Sequence, residues 1–378
     1  MVPLNPTMTA ERISALPSTG KPPMSLTRRT LLTAATAAMA TPVLAQHNHG
    51  HHAGQFERLN QPGRTDLPAL HAEHAVTESP APKAAVQGRW SPRAPLPIPR
   101  TEMAWAVEYK GRMHLVGGYA EQRVDKNYHH AYDAAADRWE ELAVHPRGSN
   151  HVGVATHGDR LYAFGGFVEQ NRTPHDGAFA FDGKAWTALR RLPEACGAIS
   201  CIALGDNIHL IGGAIGSDNR RSIDWHIVYD PKADRYTRRQ PMPLGRDHTG
   251  IVAVNGLIHI IGGRIDTFHT NSNLHHTYDP KTDQWTFRAP IPTARSGQGT
   301  VWFNNRIFVM GGEGTNRVYG QNESYDPATD TWASHAPMLT PRHGMGAVVL
   351  GNAIYVAGGG PQMGGGVKSA INEAFVLA

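Results

Sequence analysis

The sequence predicts an all-β fold in which six four-stranded sheets repeat around a ring, a six-bladed propeller. Three observations carry this. Six diglycines, Gly117-Gly118, Gly165-Gly166, Gly212-Gly213, Gly262-Gly263, Gly311-Gly312 and Gly358-Gly359, are separated by steps of 48, 47, 50, 49 and 47 residues. A constant period of that length marks one supersecondary unit copied in tandem. Every copy carries the same order of strand and turn signals. The unit left incomplete at the end of the chain has its missing strand near the front.

Within a unit, an alternating apolar run such as Gly250–Val254 comes first. A two-residue turn follows (Gly158-Asp159, Gly205-Asp206, Asn255-Gly256, Gly351-Asn352), as a tight hairpin requires. A second apolar run ends at the diglycine, where glycine suits a positive φ or a close backbone approach. After a variable loop the third strand is marked by Tyr132, Phe181, Tyr229, Tyr278, Tyr325 or Phe375. Three copies then write Tyr-Asp-Pro-x-x-Asp, with Asp230-Pro231, Asp279-Pro280 and Asp326-Pro327. Proline presets φ there, and aspartate can bond its own backbone. The second copy shortens this turn to Asp182-Gly183. Trp139, Trp186, Tyr236, Trp285 or Trp332 opens the fourth strand, and the large rings are expected to fill the space between blades. The chain ends on a third strand, Glu373–Ala378. Gly88-Arg-Trp90-Ser-Pro supplies its partner, so the N-terminal strand should complete the last blade and remove the open edges.

The diglycine, the Tyr-Asp-Pro-x-x-Asp stretch and the link Met242-Pro-Leu-Gly-Arg246 or Ile291-Pro-Thr-Ala-Arg295 together resemble kelch repeats over residues 86–378. The resemblance implies that an arginine in the link bonds neighbouring loops. More faintly, the chain is similar to exported N-acetylneuraminate mutarotases and epimerases, which implies a catalytic glutamate just after a diglycine and a nearby arginine: Glu313 and Arg317. The central domain of galactose oxidase is also kelch-like. Its copper site needs two Tyr, two His and a Cys cross-linked to one Tyr, a constellation this sequence does not reproduce.

The front of the chain is of another kind. Residues 1–45 form an N-terminal extension and signal peptide. Thr27-Arg28-Arg29-Thr30-Leu31-Leu32 resembles the twin-arginine export motif, and Val43-Leu44-Ala45 suits signal peptidase. The expected location is periplasmic or secreted. The apolar run is too short and too broken by Thr to span a bilayer. Residues 46–85 read as a flexible His-, Pro- and Ala-rich linker. Its His47, His49, His51 and His52 can bind transition metals weakly as imidazoles, and no cofactor is required. The formal charge is +4, of which the first 45 residues carry +3, so nucleic acid is not an expected partner. Cys196 and Cys201, five residues apart in an extended run, would stand about 16 Å apart at roughly 3.3 Å per residue and remain free thiols.

Sixteen residues before each diglycine stand Thr101, Ser149, Cys196, Arg246, Arg295 and Arg342, with Arg100, Arg147, His151, His248 and His343 close by. Loops at this level crown the axis of a propeller, and clustered guanidiniums attract carboxylates. Arg100, Arg147, Arg246, Arg295, Arg342, His151, His248 and His343 are therefore the candidate ligand-binding residues. Two histidine sets recur at fixed places: His114, His209, His259 before the diglycine, and His129, His226, His275 in the third strand. The first shares its slot with Tyr162, Phe308 and Tyr355, which indicates packing. The second lies too far from the axis for a shared ion. The sequence favours a monomeric binding module for a protein or an anionic small ligand over an enzyme. A sugar-acid mutarotase or epimerase is the alternative, and a metal-dependent oxidoreductase the lesser one.

Overall fold

A computed structural model describes residues 81–378, apart from 104, 122, 123, 171, 218, 219 and 378. Six antiparallel four-stranded sheets form the body. Blade 1 comprises Val107–Tyr109, Arg112–Val116, His129–Asp133 and Arg138–Glu141; blade 2, Gly153–His157, Arg160–Phe164, Ala178–Phe181 and Trp186–Ala188. Blade 3 comprises Ser200–Leu204, Asn207–Ile211, His226–Asp230 and Arg235–Arg238; blade 4, Gly250–Val254, Leu257–Ile261, His275–Asp279 and Gln284–Arg288. Blade 5 is Gly299–Phe303, Arg306–Met310, Asn322–Asp326 and Thr331–Ser334. Blade 6 takes Ala347–Leu350, Ala353–Ala357 and Asn372–Val376 from the end of the chain and Arg89–Pro92 from its front. The first strands of successive blades neighbour one another in a closed cycle, so the sheets ring an axis. There is no α-helix among the described residues.

The closing strand pairs as expected, with Trp90 opposite Phe375. Residues 81–85, expected in the linker, already belong to the fold. Ser334 N donates to Pro82 O at 2.7 Å, and Ala84 N returns a bond to Ser334 O at 2.8 Å, so this segment lies along the outer strand of blade 5.

The turn chemistry holds the blades together. Tyr132, Tyr229, Tyr278 and Tyr325 donate from their hydroxyls to Asp137, Asp234, Asp283 and Asp330 at 2.5–2.8 Å. Each of these aspartates has a positive φ of 46–56° and also accepts a backbone N–H from the preceding blade's outgoing link: Ala94, Arg190, Gln240 or Ala289. The fourth-strand aromatics repeat the same idea. The indoles of Trp90, Trp139, Trp186, Trp285 and Trp332 and the hydroxyl of Tyr236 donate to Ala336, Ala94, Ala143, Gln240, Ala289 and Arg190 carbonyls at 2.8–3.0 Å. Each of the six inter-blade seams thus carries at least one aromatic donor, with apolar rings filling the wedge around it.

Histidines take part in this packing. His114 Nδ1 lies 2.8 Å from His129 Nε2, His209 Nδ1 is 2.9 Å from His226 Nε2, and His259 Nδ1 is 2.8 Å from His275 Nε2. The two sets that looked separate in the sequence are partners on adjacent strands of one blade. The outer member of each pair donates its remaining N–H to a carbonyl (Ala143, Gln240, Ala289) and packs edge-on against Phe181, Tyr278 or Tyr325 of the next blade. Burial pushes His114, His209 and His259 down to about 4, His129 to about 2, and His226 and His275 well below the ordinary imidazole range.

Both cysteines are buried free thiols, as the spacing predicted.

Candidate functional site on the axis

The diglycines fix the geometry of the loop face. The second glycine of each pair donates its N–H to the next blade: Gly118 to Ser149 O, Gly166 to Cys196 O, Gly213 to Arg246 O, Gly263 to Arg295 O, Gly312 to Arg342 O and Gly359 to Arg100 O, all at 2.8–3.0 Å. The first glycine sits at φ 57–68°, and a Cβ on Gly212 would stand 2.4 Å from Arg246 O, so only glycine allows this approach. These bonds show that the residue equivalent to Arg246 in blade 1 is Arg100, not Thr101. Counting sixteen residues back fails there by one.

The next position in each blade bridges back to the residue after the diglycine: Thr101 to Tyr119, Asn150 to Phe167, Gly197 to Ala214, Asp247 to Arg264, Ser296 to Glu313 and His343 to Gly360. One residue further lies a position with left-handed backbone in every blade: Glu102, His151, Ala198, His248, Gly297 and Gly344, with φ between 51° and 66°. Their backbones link blade to blade around the axis. Glu102 N donates to Gly344 O, Gly344 N to Gly297 O, Gly297 N to His248 O, His151 N to Glu102 O and Ala198 N to His151 O, at 2.9–3.1 Å. Two blades use glycine here, as a positive φ favours. Three instead hold Glu or His against that preference, at roughly 1–2 kcal/mol each.

Inward from this ring lies a buried polar cluster to which all six blades contribute. Glu102 Oε2 is 3.0 Å from His151 Nε2, and Glu102 Oε1 is 3.3 Å from His343 Nδ1. His343 Nδ1 is 3.5 Å from Glu313 Oε2. Glu313 Oε1 accepts from Arg264 Nη1 at 2.7 Å, and Arg264 also bonds Asp247 Oδ1 through Nε (3.1 Å) and His248 Nε2 through Nη2 (2.9 Å). Arg220 of blade 3 reaches Asp247 at 3.2 Å and lies over the Phe167 ring at 4.8 Å. His248 Nδ1 bonds Asp247, and His151 Nδ1 bonds Asn150 Oδ1. The glycine-rich loop of blade 6 covers the cluster, with Gly364 N donating to Glu313 Oε2 at 3.0 Å and Gln362 O bonding His343 Nε2 at 2.8 Å.

Burial opposes ionisation of Asp247, yet Arg220, His248 and Arg264 hold its carboxyl well below the usual carboxylate range. Burial and the adjacent Arg264 guanidinium push the His248 imidazole well below its ordinary value, so it is neutral. Beneath the ring the first strands enclose a central cavity of about 470 Å³ lined by Trp105, Val154, Cys201, Ile251 and Trp302 among others; the Trp105 ring stands 5.9 Å from His248.

The structure thus brings together Glu313, His151, His248 and His343 of the residues singled out in the sequence. Four of the arginines are elsewhere. Arg100 is fastened to Gly117 O, Tyr128 O and His130; Arg246 bonds His276; Arg295 bonds Gln321 O, Val309 O and Glu323; Arg342 bonds Gly358 O, Val356 O and Glu373. All four are fully buried within their own blades. The strand slot they meet holds His130, His276, Glu323 or Glu373; in the blades whose arginine slot is Ser149 or Cys196 it holds Phe179 or Ile227. This matched variation marks a structural bond, so the expected arginine ring at the channel is corrected. Arg147 is exposed, and Arg317 is exposed with its guanidinium 5.3 Å from the Tyr319 ring; Arg264, not Arg317, pairs with Glu313. His47, His49, His51 and His52, like the export motif, lie outside the described residues. Glu102, Asp247, Arg220 and Arg264 were not among the candidate site residues of the sequence. Glu102 occupies a slot that is glycine in two other blades, but the one-residue slip in blade 1 aligns it with Asp247 and hides this.

Blade architecture, diglycine docking and tyrosine–aspartate turns define a six-bladed kelch β-propeller. A family model for the KLHDC2/KLHL20/DRC7 kelch-repeats domain matches residues 198–377. Curated relatives include Kelch-like protein terF of Aspergillus terreus, 28% identical over 205 residues (49% of this chain, 44% of that protein), and Kelch-like protein 35 of Mus musculus, 25% identical over 170 residues (44% and 28%). Alpha-scruin of Limulus polyphemus is 22% identical over 198 residues, 50% of this chain and 22% of that one. The chain therefore spans less than half the length of these relatives. The solved structure of YjhT superposes with a TM-score of 0.64 at 14% identity, covering 75% of this chain and 96% of YjhT, a likeness of fold.

Proposed function

We propose that the chain is an exported kelch propeller acting as a binding module, which captures a small anionic ligand at the loop face over its axis. One observation supports this above the others. All six blades turn charged or imidazole groups into a single buried cluster, three of them from left-handed backbone where glycine would be easier. Such an arrangement opposes stability, and side chains held this way cluster at functional sites. Arg220, the more exposed of the two guanidiniums (16% against 8% for Arg264), is the group suited to meet a carboxylate. Calorimetry with carboxylated sugars and their neutral counterparts tests this. The acids should bind selectively, and Arg220→Gln should weaken capture about 10-fold or more. Equal affinity for acid and neutral forms would refute the anion reading and leave a protein partner as the occupant of this face.

A second reading, a sugar-acid mutarotase, draws on Glu313, which lies between the Arg264 guanidinium, which orients it, and the His343 imidazole, a proton-transfer partner. NMR of anomer exchange in N-acetylneuraminate decides it. Turnover should exceed the buffer rate and fall in Glu313→Gln; a rate equal to buffer rejects it.

Export rests on Arg28 and Arg29. A reporter fused after residue 45 should reach the periplasm of a bacterium with twin-arginine export, and Arg28→Lys with Arg29→Lys should hold most of it in the cytoplasm. Unchanged fractionation of the double variant would remove export from the reading.

A further inference from the structure

We propose that the axial cluster holds a divalent first-row metal ion, with Glu102, Glu313 and His343 as its protein ligands. The inference deepens the reading of this cluster as the functional site, and needs no knowledge of the organic ligand.

The argument begins with hydrogen positions. Asn150 Nδ2 is spoken for by two acceptors, Asp125 Oδ1 at 2.5 Å and Phe167 O at 3.0 Å. Its Oδ1 therefore faces His151 Nδ1, and an amide oxygen only accepts. His151 Nδ1 is thus used on that amide, and its Nε2 stands 3.0 Å from Glu102 Oε2. His343 repeats the pattern with its nitrogens exchanged. Nε2 meets Gln362 O at 2.8 Å, and Nδ1 faces Glu102 Oε1 at 3.3 Å and Glu313 Oε2 at 3.5 Å. Imidazole nitrogens thus converge on both oxygens of one buried carboxylate. Glu102 Oε2 and His343 Nδ1 have no hydrogen-bond partner among the described residues, while Glu102 is only 4% and His343 1% exposed. Buried polar atoms are left so rarely that each needs an explanation.

A cation supplies it. Three carboxylates, Glu102, Glu313 and Asp247, share this buried volume with two guanidiniums, Arg220 and Arg264. One donor atom from each of Glu102, Glu313 and His343 lies within 4.8 Å of the other two. The 3.3 and 3.5 Å from His343 Nδ1 to the two carboxylates suit an ion with bonds of about 2.0–2.2 Å to imidazole and carboxylate. Glu102, His151 and His248 make a second such group, but there His248 Nε2 is already engaged by Arg264 at 2.9 Å. In the first group Arg264 holds the other oxygen of Glu313, Oε1, and the competing donor on Oε2 is a single backbone N–H, from Gly364. The Gln362 carbonyl on the far nitrogen of His343 is the kind of outer partner that fixes the tautomer of a metal-binding imidazole. Oxygen and imidazole donors without thiolate point to zinc, manganese or iron(II).

The test uses the full chain with His47, His49, His51, His52, His71 and His74 replaced by Ala, so that the tail does not compete. After chelation, titration with Zn²⁺ by calorimetry and with Co²⁺ by visible absorption should show one ion per chain and d–d bands of an imidazole–carboxylate site. His343→Ala and Glu313→Gln should each lower Zn²⁺ affinity at least 100-fold with thermal unfolding little changed. Absence of stoichiometric Zn²⁺ and Co²⁺ uptake by the parent overturns the proposal, even if both variants fail to fold. So does uptake that is the same in both variants, or His343 imidazole resonances unmoved by Zn²⁺. Metal uptake is read without sugar present. Failure of anion capture with intact Zn²⁺ binding would sink the proposed ligand alone, and the reverse would sink the metal alone.

Discussion

Acidification from pH 7 to pH 5 is expected to unfold this propeller. The cause is the three buried histidine pairs, His114–His129, His209–His226 and His259–His275. His114, His209 and His259 have folded pKa values of about 4 and His129 of about 2, and burial holds His226 and His275 well below the ordinary imidazole value, which is about 6.5 when exposed. A base whose folded pKa is depressed contributes its full stability above the unfolded pKa. Below pH 6.5 the unfolded chain takes up protons that the folded chain refuses, so stability falls with pH until the folded values are reached. At pH 5.5 each excluded proton is worth about 1.4 kcal/mol, so the six histidines together approach about 8 kcal/mol, comparable to the whole stability of an ordinary domain. Thermal unfolding followed at half-unit steps should show a steep drop in Tm between pH 6.5 and 5. Blade 5 shows how to remove the effect, because it fills the two slots with Phe308 and Asn322. His259→Phe with His275→Asn should flatten the slope by close to two protons and move the acid midpoint downward. A slope identical to that of the parent would show that these pairs do not govern acid stability.

Loss of the closing strand should be as damaging. Arg89–Pro92 pairs along Asn372–Val376, and Trp90 packs 5.1 Å from Phe375 while bonding Ala336 O across the seam to blade 5. Trp90→Ala leaves a hole among Phe308, Met338 and Phe375 and strips one inter-blade bond; about 3–5 kcal/mol is expected. Deleting residues 86–95 goes further. It exposes the whole edge of blade 6, unseats the Gln87 carbonyl that receives Ala336 N, and leaves an unpaired strand open to another chain. The deletion should lower Tm by more than 10 °C and promote aggregation. Unfolding coincident with the intact protein would mean that the ring does not depend on closure at this seam.

Local signals wrote most of the architecture. Period, hairpin turns and aromatic markers are properties of a few adjacent residues, and each blade repeats them, so errors in one copy are corrected by the others. The closing strand was legible for the same reason: Trp90 matches Trp139, Trp186, Trp285 and Trp332, and Asn372–Val376 lacked a partner. Errors entered where one residue of register mattered. Counting back from Gly117 gave Thr101, while the bond from Gly359 N to Arg100 O identifies the equivalent residue.

The site was half legible. Glu313 stood out as the carboxylate that follows a diglycine, and His151, His248 and His343 by standing beside the link positions, yet four of the arginines that stood out with them proved to be sewn into their own blades. Composition cannot distinguish a guanidinium that faces the channel from one that meets Glu323 three strands outward; side-chain direction decides, and the sequence does not record it. Arg264 and Glu313, or Arg220 and Phe167, meet only after the blades are wrapped around the axis, because their separation in the chain (49 and 53 residues) is bridged by ring geometry rather than by any local motif. What the sequence determined by itself was the repeating sheet and its closure, since strand period, turn residues and wedge aromatics act at short range. The tertiary structure alone decided which charges share one buried volume, since that depends on the convergence of six separate loops on a single axis.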